Sequence, residues 1–498
     1  MKKTEKDDSY SHILKYTGMF GGVQGLNILV GIVRNKLVAM ILGPEGMGLM
    51  SLFNSTIKLF SDSTNLGIPL SAVREISEAY ENEDENQIRH VVKLVRTWSL
   101  LTALVGMLLC MMLSPLLDRW TFDWGNHTLH FIVLSPVVAI GAVTGGELAI
   151  LKGTRQLAHL AAISVYGVLG ATVSTIPMYY FWGVSAVVPS LVVIALIQML
   201  LTIAYSYRLF PLQSISDGRK MMHDGLGMVR VGIAFVMAGI LGSGAEFLIR
   251  SYLNNTADLG VVGLYNAGYM MTMTYAGLVF SAMETDYFPR LSSIKGLGAE
   301  LNLCVNHQIE VSLLLVSPLL VSFMVGLPVL LPLFYSGKFL PVAGMMKFAI
   351  LAMYLRAIVL PIEYLTLSKG HSKAYLFLEA VYDVLIVLLV VAGYRWLSLT
   401  GTGLAILLTG IINLIVVLVF ANYKYQYRLS HFVRCYALIQ LPLGVAAYLV
   451  AEWLEGWTYW AVGGILALTS MGVTLRILHS KTRLWASLKK HFIQKIKS

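Results

Sequence analysis

Nine ionisable residues stand among apolar neighbours, and their types and spacing are what this chain offers for chemistry. Four are cations, Arg34, Lys58, Arg250 and Arg356; five are acids, Asp62, Glu147, Glu246, Glu363 and Asp383. Adding Lys36 and Lys347 gives six cations inside apolar stretches. A cation at the centre of a lipid-facing helix costs about 2.5–3.5 kcal/mol, so a set of six requires water or partners for most of its members. Helical spacing aligns them with other polar residues. Gly21, Gln24, Asn27, Gly31 and Arg34 recur at steps of three or four and share a face. Asn54, Lys58, Ser61 and Asn65 do the same with Asp62 beside them, as do Gly239, Ser243, Glu246 and Arg250. Three such stripes point to a wet, cationic cavity. An excess of Lys and Arg there favours an anion, and phosphate is the anion that Arg reads best.

The acids leave two readings open. Lys58 with Asp62, and Glu246 with Arg250, are pairs four residues apart that neutralise each other on one helix. Glu147 and Glu363 serve either as proton or Na⁺ sites or as caps of a packed interface. Asp383, four residues after Glu379, is a further candidate for ion coupling. Lys36 and Lys347 stand near span ends, where long side chains snorkel to the interface. Cys110, Cys304 and Cys435 are scattered, and neither they nor the histidines have ligand spacing, so no metal site and no disulfide framework is expected. No Walker A sequence, kinase loop or nucleophile elbow is present, so no catalytic residue and no cofactor is expected, apart from H⁺ or Na⁺ as a coupling ion.

The elements that must hold these residues are membrane spans. Apolar residues make up 57% of the 498, charged residues 13%, and the mean hydropathy is +0.71, against about 25% charged in soluble domains. The reading is an all-α integral membrane protein of about fourteen transmembrane helices. Spans fall near 17–42, 47–70, 95–115, 128–151, 158–181 and 184–207 in the first half. They fall near 229–256, 261–285, 306–334, 342–367, 374–394 and 402–422 in the second, and two more near 434–451 and 457–475. With the N-terminus inside, 28 of the 37 Lys and Arg lie in cytoplasmic segments, and 3 (Arg119, Lys338, Arg395) lie in outer loops. That asymmetry follows the positive-inside rule and places both termini in the cytoplasm. It also accounts for the net charge of +10 without nucleic acid.

Shifted by 216 residues, the two halves align: Arg34 meets Arg250, Arg74 meets Arg290, Ser77 meets Ser293 and Glu147 meets Glu363. Gly48-Leu49 against Gly263-Leu264, and Lys152-Gly153 against Lys369-Gly370, agree within one residue. Six spans per repeat is an even number, so the halves share one orientation about an axis along the membrane normal. The organisation expected is an N-lobe, 1–208; a cytoplasmic inter-lobe loop, 209–228; a C-lobe, 229–423; an appended hairpin, 424–476; and a basic cytoplasmic tail, 477–498.

The stretch SYSHILKYTGMFGGVQGLNILVGIVRNKLVAMILGPEGMGLMSLF, the segment NLGIPLSAVREISE and the KG turn after span 4 resemble Wzx-type O-antigen translocases. These polysaccharide flippases belong to the superfamily that also holds MATE-type multidrug exporters and lipid II flippases. The resemblance is specific mainly over residues 9–80. It implies a non-enzymatic flippase in a bacterial inner membrane, with a cavity alternately open to each side between two six-helix lobes. Its substrate would be an undecaprenyl-pyrophosphate-linked oligosaccharide, with membrane lipids and a polysaccharide polymerase or glycosyltransferases as neighbours. Carried onto this chain, Arg34, Lys58 and Arg250, with Arg356, would hold the pyrophosphate. A MATE-type antiporter is kept open by Asp62, Glu246 and Asp383, and a lipid II flippase is the other rival. A sugar polymerase or ligase would need a large outer loop, whereas the longest here, SPLLDRWTFDWGNH, is short.

Overall fold

Gly43 and Pro44 decide where the first long apolar stretch turns. In the computed structural model of the chain, Gly43 takes φ 66°, ψ −171°, a left-handed conformation that costs glycine least. Pro44 follows, lacking an N–H and suited to the first turn of a helix. The helix α1 (Thr4–Thr64) is therefore two arms joined at this point. The structure describes residues 4–482 except 83, 213–217, 276, 278–279, 281–286, 289 and 295. Side chains are described from Leu26 to Lys481, outside those positions and outside 218–224, 227–235, 274 and 275. The expected tail beyond Thr482, part of the inter-lobe loop and the side chain of Gln24 lie outside the described residues.

The remaining helices are α2 (Ile68–Glu81), α3 (Glu85–Met112), α4 (Ser114–Thr121), α5 (Thr128–Gly153), α6 (Leu157–Trp182) and α7 (Val187–Leu209). Next come α8 (Gly218–Thr256), α9 (Leu259–Tyr269), α10 (Ala299–Phe334), α11 (Ala343–Ser368), α12 (Ser372–Tyr425), α13 (His431–Trp453) and α14 (Gly456–Thr482). No strand occurs among the described residues. Nine segments there are long and apolar enough to cross a membrane. Three of the nine contain a break: at Gly43, at the 3₁₀ turn Gly183–Ala186, and at Leu397–Ser398 within α12. Helix α8 begins at Gly218, ten residues into the expected 209–228 loop, because its polar first turns carry no hydropathy signal.

The chain divides into two compact units. The first comprises Met1–Gly263 and Leu333–Lys338, and the second Leu264–Pro332 and Phe339–Ser498. In the first, α2 presents Ile68, Ala72, Ile76 and Ala79 to Val91, Val95 and Trp98 of α3 and to Ile150 of α5. Ser77 on α2 donates to the Gly153 carbonyl at the KG turn. In the second, Lys369 at its own KG turn donates to the Ile294 carbonyl.

Two helix starts meet backbone to backbone in the first unit. A Cβ on Gly48 would lie 1.9 Å from the Leu259 oxygen, and one on Gly263 would lie 1.9 Å from the Pro44 oxygen. The contact is reciprocal, and only glycine fits it.

In the second unit the C-terminal hairpin is docked by buried polar groups. Gln440 donates to Thr474 at 3.1 Å and accepts from Ser470, and Thr474 donates to the Leu314 carbonyl of α10. Lys347 leaves its expected snorkelling role for Glu452 at 2.9 Å, and Lys481 pairs with Glu310. Outward faces stay apolar: Leu100, Leu104 and Leu108 on α3, and Leu388, Ile415 and Val419 on α12, are exposed. Exposed apolar area on this scale marks a lipid-facing surface.

Candidate functional site

The second arm of α1 and α8 hold the charged centre of the first unit. Nζ of Lys58 donates to Oε1 of Glu246 at 2.9 Å. Nη1 of Arg250 reaches Oε2 of the same carboxylate at 3.4 Å and the Glu246 carbonyl at 3.1 Å, and its Nε donates to Ser51 Oγ at 2.8 Å. One carboxylate thus serves two cations. Asp62, one turn beyond Lys58, lies within electrostatic range of Lys58 and Glu246 and beside the Ser243 hydroxyl. Positive and negative charges balance in this cluster.

Accessibility separates the two cations. The Lys58 side chain is 51% exposed and that of Arg250 only 7%. Lys58 keeps donor capacity open, with exposed Asn54 one turn before it. Arg250 spends its guanidinium on protein. Arg34, on the first arm of α1, is half-buried, and its Nε has no acceptor among the described residues. Asn27, two turns earlier, donates to Ser164 of α6 at 2.6 Å.

Arg356 and Glu363 stand two turns apart on α11, and the second unit gathers polar groups around them. Tyr382, Glu363, Tyr269 and Glu379 all face the exposed Arg356 electrostatically. Glu363 accepts from Nδ2 of buried Asn413 at 3.0 Å, and Glu379 accepts from the Tyr375 hydroxyl. Asp383 is buried beside Tyr382. Tyr269 stands where α9 runs into a π-helical turn, Met270–Tyr275, a feature frequent at functional sites.

Glu147 lies outside both clusters. Nε and Nη2 of Arg96 donate to its two oxygens at 2.8 and 3.1 Å, and Ser206 adds a hydrogen bond at 2.5 Å. Three protein donors fill this carboxylate. Sequence reasoning paired Glu147 with Glu363 but missed Arg96, which stands at the first turn of its span and counts there as a loop cation. Ser51, Asn413 and Tyr375 were also missed, because neutral polar residues in apolar helices carry no signal until a neighbour is known.

The described residues form a multi-pass, all-helical membrane-protein architecture with these clusters inside it. The solved structure of a lipid II flippase, MurJ, in an inward closed conformation is similar at TM-score 0.62 and 14% identity, covering 93% of this chain and 99% of that one. An inward-facing multidrug resistance MATE family transporter of the MOP superfamily is similar at TM-score 0.61 and 16% identity, covering 80% and 94%. A family model described as "Polysaccharide biosynthesis protein" matches residues 13–295, more than half of the chain. The chain belongs to that family. Stage V sporulation protein B of Bacillus subtilis (strain 168) is 23% identical over 138 residues, or 28% of this chain, which spans about a quarter (26%) of that relative's length.

Proposed function

We propose that this chain is a flippase that carries an undecaprenyl-pyrophosphate-linked, O-antigen-type oligosaccharide from the cytoplasmic to the periplasmic leaflet. The observation that carries the reading is Lys58, a half-exposed cation held by Glu246 within an apolar helix arm, with Arg34 on the adjoining arm. A diphosphate gains from both a point charge and a guanidinium fork. Family membership and the likeness to a lipid II flippase support a lipid-linked substrate.

Fourteen crossings, two six-helix lobes (1–208 and 229–423) and cytoplasmic termini in an inner membrane complete the proposal. The reciprocal Gly48–Gly263 contact supports equivalence of the halves, since the repeat pairs those two residues. Rocking of the lobes would expose the site to each side in turn. Glu363 and Asp383, with their neutral polar neighbours, are the coupling groups proposed for H⁺ or Na⁺.

The antiporter reading keeps one specific support: Asp62 and Glu246 place two carboxylates beside Lys58. A deletion strain complemented with wild type, Arg34→Ala or Lys58→Ala separates the two. Flippase activity requires surface polysaccharide to be lost, and its lipid-linked precursor to accumulate, in both well-expressed variants. Normal polysaccharide with raised sensitivity to cationic drugs overturns the flippase and favours the antiporter.

A further inference from the structure

A cavity of the first unit lies away from the Lys58–Glu246–Arg250 cluster. It encloses about 940 Å³ between α3, α5 and the end of α7. Three cations of α3 line it, Arg89, Lys93 and Arg96, and they are not equally available. Arg96 is committed to Glu147 and lies over the Tyr207 ring, 4.2 Å from its centroid. Arg89 is paired loosely with Glu85 at 3.4 Å, both side chains being well exposed. Lys93 is half-buried, and its ammonium meets no acceptor among the described residues, while its carbonyl accepts from Thr97. The opposite wall is apolar, with Val143, Leu209, Phe210 and Leu212.

The cationic end continues into lipid-facing surface. Arg89, Lys93, Thr97, Leu100, Leu104 and Leu108 recur at steps of three or four and so share one face of α3. Leu100, Leu104 and Leu108 are 57%, 49% and 52% exposed. One helix face therefore offers an open guanidinium, then an unspent ammonium, then three bare leucines over about two turns. A free phosphate uses the first part of that face and not the second. A neutral lipid uses the second and leaves Lys93 unpaired. An amphiphile with one anionic headgroup uses both, and basic pockets between membrane helices are where such headgroups bind.

We propose that this cavity is a binding site for an anionic phospholipid, its phosphate on Lys93 and Arg89 and its chains along Leu100–Leu108. The site is separate from the proposed translocation cluster. A single unspent ammonium suits a monoanionic headgroup better than a diphosphate, which separates this ligand from the proposed substrate.

The test uses the full-length chain in neutral detergent, with dioleoylphosphatidylglycerol, dioleoylphosphatidylcholine or inorganic phosphate added. Bound lipid is counted by native mass spectrometry and the melting temperature is read from tryptophan fluorescence. Phosphatidylglycerol should remain bound and raise the melting temperature, with neither effect from the other two. Lys93→Gln should weaken its binding about fivefold, the effect of one cation at an anionic surface. Lys93→Arg should restore binding, and Lys152→Gln, an exposed cation outside the cavity, should change nothing. The lipid-free melting temperature of Lys93→Gln should match wild type, because the side chain bonds to nothing described. Equal retention by wild type and Lys93→Gln, or equal stabilisation by phosphatidylcholine or phosphate, overturns the proposal. So does displacement of phosphatidylglycerol from the wild-type site by lower concentrations of geranylgeranyl pyrophosphate, which would make the pocket a substrate-loading site.

Discussion

Glu246 holds Lys58 by one oxygen and Arg250 by the other, and the two cations depend on it differently. Arg250 is buried, so losing its counter-charge leaves an uncompensated guanidinium, for which fully buried pairs set a cost of about 3–5 kcal/mol. Glu246 is 29% exposed and water softens that cost, so Glu246→Gln should destabilise the protein by about 2 kcal/mol. Lys58 is half-exposed and should lose little stability by the same change. Thermal unfolding of Glu246→Gln and Lys58→Met in detergent checks this: a large drop for the first and almost none for the second is expected. Equal drops would mean that the Lys58 link, not the buried arginine, holds α8 to α1. The stripes containing Lys58, Glu246 and Arg250 were legible because charge in an apolar helix is conspicuous. The Glu246–Arg250 pair was legible from its spacing as well, but the Lys58–Glu246 link between helices was not, since a period of three or four identifies a face but not what packs on it.

Outside the membrane spans, the turn around His127 carries a pH dependence whose sign can be worked out. Its ring stacks on Phe122 at 4.0 Å between centroids and meets Trp124 edge-on at 4.6 Å. Burial, then the neighbouring His130, push its pKa below the ordinary 6.5, while Asp118 pulls the other way. A histidine with a depressed folded pKa binds fewer protons folded than unfolded, so stability rises with pH across the window. Its contribution is present above about pH 6.5 and falls away as the pH drops through the lower folded value. The melting temperature should therefore decrease between pH 7.5 and 5.5, and His127→Phe should flatten that decrease. An unchanged slope in the variant would assign the effect to other groups.

Helix breaks are the element-scale counterpart. LGPEGMG was legible as a turn because Gly43 and Pro44 punctuate it, whereas the break at Leu397–Ser398 was legible only as the gap between the spans 374–394 and 402–422, with no glycine or proline at its own position. It occurs where Ser398 takes φ 49°, a conformation set by tertiary packing rather than local sequence. Helix starts were the least legible, since α1 and α8 extend through polar leaders that hydropathy passes over. The Gly48–Gly263 crossing is where two elements have no room to adjust. A methyl group at either position must push the backbones apart, at a cost of about 1–3 kcal/mol. Gly48→Ala and Gly263→Ala should each lower the melting temperature, and the double variant should cost less than the sum because the first separation makes room for the second. Additive losses would show that the two methyl groups are accommodated independently, away from a shared crossing.

For the whole molecule, orientation is the property on which the transport direction rests, and two independent residue classes bear on it. Lys and Arg favour the segments assigned to the cytoplasm, 28 against 3. Six of the nine tryptophans stand on the other side. Trp120, Trp124, Trp182, Trp396, Trp453 and Trp457 all lie at turns assigned to the outside, and all are exposed. Indole rings gather at membrane interfaces and strong cations at the cytoplasmic face, for different physical reasons. An error of one crossing would interchange inside and outside for every later loop, and the Lys and Arg bias would then be lost beyond it. Single cysteines can be placed at Arg119, Lys338 and Arg395, and at Lys93, Lys152 and Lys373, in a chain whose own Cys110, Cys304 and Cys435 are replaced by serine. An impermeant maleimide added to intact cells should label the first three, and the second three only after permeabilisation. Labelling of Arg395→Cys from the inside, with Arg119→Cys still outside, would change the number of crossings between them by one. If Lys338→Cys were labelled from the inside as well and the change fell within the first half, the two halves would run in opposite directions, and the cations of α1 and α8 would no longer be equivalent by the repeat.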